Sequence, residues 1–193
     1  MTQKNIETGS PWNEANAHAN FTELYAAAAA NTPDASMAPA AGFLGTGTVY
    51  KSSVGIEGDF IKTRIYIDLT GAASSTDDLD IIGKLGAAHI GQITAAINGT
   101  IVGGTITCLE APTGGIADID LYAATVGTGA FDDGIEPLTE TALLTAGDAW
   151  TLGEMKALSG TPAANGYLYL CGGAAGTAAT YTAGKLLIEL IGV

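Results

Sequence analysis

The stretch Phe60-Ile61-Lys62-Thr63-Arg64-Ile65-Tyr66-Ile67-Asp68-Leu69 decides the fold. Its odd positions carry Ile61, Thr63, Ile65, Ile67 and Leu69. Its even positions carry Lys62, Arg64 and Asp68, with Tyr66 among them. Successive side chains of an extended chain point to opposite faces, so this period of two predicts a strand with one buried face. Working outward, Asp118-Ile119-Asp120-Leu121-Tyr122 alternates in the same way and predicts Asp118 and Asp120 on the solvent side. In Lys185-Leu186-Leu187-Ile188-Glu189-Leu190, residues 186, 188 and 190 face inward. Gly166-Tyr167-Leu168-Tyr169-Leu170-Cys171 is a further strand. Less regular strands are expected around 90–96, 100–109, 142–146 and 152–158.

Turn clusters separate these runs: 71–78, 103–104, 112–115, 127–134, 160–166 and 172–176, with Asn98-Gly99 expected as a type I′ hairpin. About eight to ten short strands with such punctuation indicate a mainly β domain, an antiparallel sandwich or jelly roll. Long helices do not alternate with the strands, which disfavours a parallel α/β fold.

Ahead of the β region the period changes. Ser10-Pro11 fits a helix start, with Ser at the N-cap and Pro at N1. Phe21, Leu24 and Tyr25 fall at i, i+3 and i+4 on one helical face, and Trp12 and Ala17 extend that stripe backward. The alanines 26–30 are strong helix formers, and Pro33 ends the run. A lone helix of about 20 residues is marginal in water and must lay its stripe on something. The expected organisation is an N-terminal arm and attachment helix over 1–32, a Pro/Ala/Gly-rich linker over 33–48, and the β domain over 49–193.

The 193 residues carry a net charge of −13, with 27 glycines and a charged fraction of 14%. The usual charged fraction is about 25%. Such a chain lacks the cationic surface that holds a phosphate backbone, so direct nucleic-acid binding is not expected, and anionic membranes are disfavoured. A basic protein surface fits the charge, as does acidity kept for solubility alone. No signal peptide and no run of about 18 apolar residues is visible, so assembly in a cytoplasm without a membrane is expected.

Chemistry is thinly signalled. Acids cluster at Asp77, Asp78 and Asp80, at Asp118 and Asp120, and at Asp132, Asp133 and Glu136. Paired carboxylates serve glycoside hydrolysis, and convergent ones bind calcium. None follows the spacing of a calcium loop, and solvated acids are the simpler reading. His18 and His89 are far apart in the chain. Cys108 and Cys171 lie in apolar strands without a CxxC, which reads as buried thiols and no zinc site. Tyr66, Tyr122, Tyr167 and Tyr169 could form a carbohydrate-binding row, though packing between sheets or at an interface is favoured. No catalytic, cofactor or metal residues are assigned.

The segment Trp12-Asn13-Glu14-Ala15-Asn16-Ala17-His18-Ala19-Asn20-Phe21-Thr22-Glu23-Leu24-Tyr25 resembles the W-x-x-A-x-x-x-x-N-F-x-E-L-Y pattern near the start of many tailed-bacteriophage virion proteins. Stretches 67–71, 77–83, 107–112 and 181–185 are also similar to small phage structural proteins. The family pattern often has Lys and Ile before Asn-Phe, where this chain has Ala17, His18 and Ala19. The resemblance implies a virion component with an attachment helix, and Trp12, Asn20, Phe21, Leu24 and Tyr25 as its interface residues. The reading is a non-enzymatic capsid decoration or cement protein, a trimer bound to the major capsid protein or another virion protein. A tail fibre, spike or adaptor whose β domain binds host glycan is the alternative, and a glycan-active enzyme of the virion is a third.

Overall fold

The computed structural model describes residues 37–193. This region is mainly β, and every strand pairing in it is antiparallel. The strands are β1 (Val49–Glu57), β2 (Phe60–Asp68), β3 (Ala73–Ser74), β4 (Gly91–Gln92), β5 (Ile101–Thr113), β6 (Ile119–Ala124), β7 (Glu140–Leu144), β8 (Met155–Ala157), β9 (Tyr167–Gly172), β10 (Ala179–Thr180) and β11 (Ala183–Gly192). They form a five-stranded sheet in the order β1-β2-β11-β5-β8, a four-stranded sheet in the order β4-β9-β6-β7, and a small β10-β3 pair.

The period-two strands behave as their residues dictate. In β2, Thr63, Ile65 and Ile67 are fully buried, and so is Leu69 just beyond it. In β11, Leu186, Ile188 and Leu190 are fully buried, while Lys185, Leu187, Glu189 and Ile191 between them keep some exposure. The cross-strand register explains the agreement: Leu186 pairs with Ile67, Ile188 with Ile65 and Leu190 with Thr63, so the inward faces coincide. These side chains join Ile106 and Cys108 of β5 and Leu121, Leu168 and Leu170 of the second sheet in one continuous sandwich-like core. Thr63 is the polar member, and Asn98 donates to its hydroxyl at 2.9 Å.

Three local expectations are corrected. Asn98-Gly99 does not turn a hairpin. Ala95–Asn98 form one helical turn, Asn98 is buried, its side-chain oxygen accepts from the Thr94 N–H at 2.9 Å, and Gly99 ends the turn at φ 68°. A side chain that satisfies the backbone locally competes with strand geometry. The stretch 37–48, expected as linker, belongs to the domain: Phe43 is fully buried and Met37 is 6% exposed. Gly45 and Gly71 touch so closely that a Cβ on Gly45 would lie 1.8 Å from the Gly71 carbonyl oxygen.

The third correction concerns β6. All its residues are buried, because the four-stranded sheet is covered on both faces. Tyr122, Tyr169, Asp120 and Cys171 share the face away from Leu121 and Leu170. Residues 126–138 close over that face. The Tyr169 hydroxyl donates to the Val126 carbonyl at 2.8 Å and accepts from the Gly129 N–H at 3.2 Å. Asp120, on the same face, lies against Gly173 and the Ala146 N–H and is 4% exposed, where alternation predicts a solvent position.

Candidate functional site

The outward face of the five-stranded sheet is the first surface the fold builds. Register lines its residues in rows across the strands. One row runs Lys51, Tyr66, Leu187, Thr107, Met155; the next runs Ser53, Arg64, Glu189, Thr105, Ala157. A third holds Asp68, Lys185 and Glu110. Arg64 bonds Glu189 at 3.0 Å and Glu57 at 2.9 Å, and Lys62 bonds Glu57 at 2.7 Å. Lys185 pairs with Glu110 and lies 3.9 Å from Asp68. The hydrogen bonds from Lys62 and Arg64 hold the exposed Glu57 carboxyl below the usual carboxylate range.

Lys51, Lys62, Arg64 and Lys185 are four of the chain's seven basic residues. On this face they meet Glu57, Asp68, Glu110 and Glu189, so the face is neutral on a chain of net charge −13. Exposed pairs of this kind contribute little stability, because solvent screens them and holding two long side chains together costs entropy. Their larger effect is electrostatic balance, with partly exposed Tyr66, Leu187 and Ile191 among them. Alternation in single strands signalled the outward charges, but their cancellation depends on the β2-β11-β5 order, which no single strand contains.

The second feature is acidic. Asp118 and Asp120 lie beside Gly173, where an added Cβ would sit 2.6 Å from Asp118 Oδ1 and 2.8 Å from Asp120 Oδ1. Asp120 accepts from the Ala146 N–H at 2.6 Å. Asp118 Oδ1 is buried and has no hydrogen-bond partner among the described residues. Burial pushes the Asp118 carboxyl up; Lys156 opposes the rise and Asp148 and Asp78 add to it. Burial also raises Asp120, against the Ala146 N–H and with Asp118 and Asp78. Asp118 lines an open cleft of about 460 Å³ with Gly115, Ile116, Ala149, Ala174 and Thr177.

Lys156, which carried no signal in the sequence, braces this region. Its ammonium donates to the Ala146 carbonyl at 2.6 Å, pairs with Asp148 at 2.5 Å and Glu154 at 3.2 Å, and stands 5.1 Å from the Trp150 ring centre. The Trp150 indole N–H donates to the Ile119 carbonyl at 2.8 Å.

The other expected groups do not converge. Asp132 accepts from Ser75, and the Asp77 N–H donates to Asp80 at 3.2 Å, so these acids cap loops. Among the described residues no three His, Cys, Asp or Glu side chains are grouped to hold a metal ion. His89 packs 5.0 Å from the Tyr167 ring and 6.2 Å from the Tyr169 ring, and burial lowers its pKa. Tyr66 stands on the five-stranded sheet and Tyr122, Tyr167 and Tyr169 on the four-stranded one, so they make no common row. Cys108 and Cys171 are buried free thiols. His18 and the interface residues Trp12, Asn20, Phe21, Leu24 and Tyr25 lie outside the described residues, as does the helix expected around them.

A scan against protein-family models matches none, and comparisons with curated proteins and with solved structures return no match.

Proposed function

We propose that this chain is a non-enzymatic structural protein of a tailed-bacteriophage particle, a decoration or cement protein on the head. The observation that carries the reading is the stretch Trp12–Tyr25, with its W-x-x-A-x-x-x-x-N-F-x-E-L-Y pattern. A segment with three aromatic anchors ahead of a β-sandwich suits attachment, since large aromatics dominate interface energetics. The β domain adds support of a physical kind. Its neutral sheet face lets an acidic chain approach a protein surface without net repulsion. Many weak contacts of this sort, repeated over a shell, stabilise it through multivalency.

The test is co-sedimentation of the purified full chain with isolated DNA-filled heads and, separately, with tails. Saturable binding to heads at high copy number is the expected result. Binding to tails alone would replace the head role with that of a fibre, spike or adaptor. Binding to neither would remove the virion reading.

One observation favours a second reading. Asp118 lines an open cleft and converges with Asp120 beside Gly173, and a carboxylate pair is what glycoside hydrolysis needs. Against it, the two acids point at one enclosed spot, and Asp120 is sealed from the cleft by its burial and its bond to Ala146. Glycan release by the wild type that disappears in Asp118→Asn would establish that reading.

A further inference from the structure

Among the described residues, the side of β1 away from β2 is long, regular and open. All nine of its residues pair one to one with β2 without a shift of register, and the strand contains no proline. Among the described residues no strand pairs with its other side. Proteins ordinarily blunt such an edge with a bulge, a proline or an inward-pointing charge. Here the inward side chains are Tyr50, Ser52, Val54 and Ile56, and the one lysine, Lys51, stands on the outward face beside Tyr66. An edge without these devices is a template for another strand.

The hairpin tells which backbone groups the edge offers. Gly58 and Asp59 form a two-residue turn between the paired Glu57 and Phe60, with Gly58 at φ 64°. In such a turn the flanking pair exchanges both hydrogen bonds, and hydrogen-bonded and free pairs then alternate along the ladder. Glu57, Gly55, Ser53 and Lys51 thus spend their backbone groups on β2. Tyr50, Ser52, Val54 and Ile56 direct theirs to the open side.

We infer that β1 pairs antiparallel with β1 of a second copy about a two-fold axis at Val54, joining two five-stranded sheets into one. Charge selects the register. With Val54 opposite Val54, each Lys51 stands across from the other copy's Glu57. Both residues are exposed and lie on the same outward face. They fall at a non-hydrogen-bonded position, where opposed side chains come closest. The small Ser53 then meets Gly55, and on the inward face Ser52 meets Ile56, which is 55% exposed in the single chain. Sliding one step toward the strand start sets Lys51 against Gly55 and Glu57 against Val49, and both charge pairs are lost. Lys62, Arg64 and Lys185 already have carboxylate partners, whereas among the described residues Lys51 has none. The surrounding face is neutral, so it is where two acidic chains repel least. An isologous contact closes at two copies, so this edge builds a dimer in place of the trimer expected from sequence. The inference stands on the geometry of β1 and holds whether or not the virion reading does.

Sedimentation equilibrium of the full chain, with Lys51→Glu and Ile56→Pro, tests it. The wild type is expected to show a monomer–dimer equilibrium that moves with concentration and weakens in high salt. Lys51→Glu turns two attractive cross-strand pairs repulsive and is expected to raise the dimer dissociation constant about tenfold or more. Ile56→Pro removes an outward N–H, leaves the bonds to β2 intact, and is expected to abolish the dimer. Both positions are exposed, so the circular dichroism of the folded domain should not change. A wild type that stays monomeric at millimolar concentration, a trimer, or a dimer that both variants leave unmoved would overturn the inference.

Discussion

Asp118 and Asp120 aim one carboxylate oxygen each at the same spot beside Gly173, 2.6 Å and 2.8 Å from where a methyl group there would sit. Burial raises both carboxyls, and each sits in the field of other acids. A carboxyl raised in the folded state holds its proton more tightly there than in the unfolded chain. Its contribution to stability is therefore fully present below the unfolded value, near 4, and is lost as pH rises through the folded value. Glu57 and Glu154 are lowered and act in the opposite sense: what they contribute is present above the unfolded value and lost on acidification. Asp118→Asn isolates the first group. It should raise stability at neutral pH, because the charge that burial and the neighbouring acids disfavour is removed while the side-chain shape is kept. The gain should vanish near pH 3. Melting temperatures of both proteins across roughly pH 3 to 8 check this. A difference that does not change with pH would show that Asp118 does not titrate with folding.

Lys156 opposes the same acids. It bonds Asp148, Glu154 and the Ala146 carbonyl, and the Ala146 N–H is in turn the donor to Asp120. Lys156→Met keeps the stem against Trp150 and removes the charge. The expected cost is about 1–2 kcal/mol at neutral pH, because one charge-assisted bond to a backbone carbonyl is lost and so is the positive charge that opposes the rise of Asp118. In Asp118→Asn the same substitution should cost less, and a double-mutant cycle on the four proteins measures that coupling. Strict additivity would mean that the two sites do not communicate.

Phe43 shows where the domain starts. Its side chain is fully buried, although Pro, Ala and Gly dominate the residues around it and give the stretch a linker's composition. Phe43→Ala should destabilise the domain by about 3–5 kcal/mol, the range for truncating a buried Phe. Removal of residues 1–36 should leave a cooperatively folding domain, whereas removal of residues 1–48 should abolish its sharp thermal transition. The same sharp transition in both truncated chains would place 37–48 outside the core.

The strands that faced solvent on one side were legible in the sequence, and the rest was not, for physical reasons. β2 and β11 alternate because one face meets the core and the other meets water, and the hydrophobic pattern records that difference. β6 is covered on both faces, so Asp118-Ile119-Asp120 alternates in polarity without alternating in exposure. Asp120 tolerates burial because the Ala146 N–H satisfies it, and that donor lies 26 residues away. Asn98-Gly99 matched a hairpin dipeptide, yet Asn98 serves Thr94 locally and Thr63 across the fold. The neutral sheet face was hidden because charge cancellation between Arg64 and Glu189 spans 125 positions of sequence. The acid pair was visible as spacing; its convergence on Gly173 needed β9 beside β6.

The proposed attachment role makes a separable demand on the N-terminal stretch. Trp12, Phe21, Leu24 and Tyr25 are large apolar residues, and truncating such anchors at an interface commonly costs about 2 kcal/mol or more of binding, roughly thirtyfold in affinity. Phe21→Ala combined with Tyr25→Ala should therefore lower the affinity for DNA-filled heads by at least about thirtyfold. The melting temperature of the β domain should stay within a degree or two of wild type if these side chains serve attachment and not the chain's own core. Head binding by quantitative co-sedimentation and melting by circular dichroism should be measured on the same preparation. Lost binding with unchanged melting is the expected pair of results. Unchanged binding would remove these residues from the interface, and a large fall in melting temperature would assign them to the stability of the chain itself.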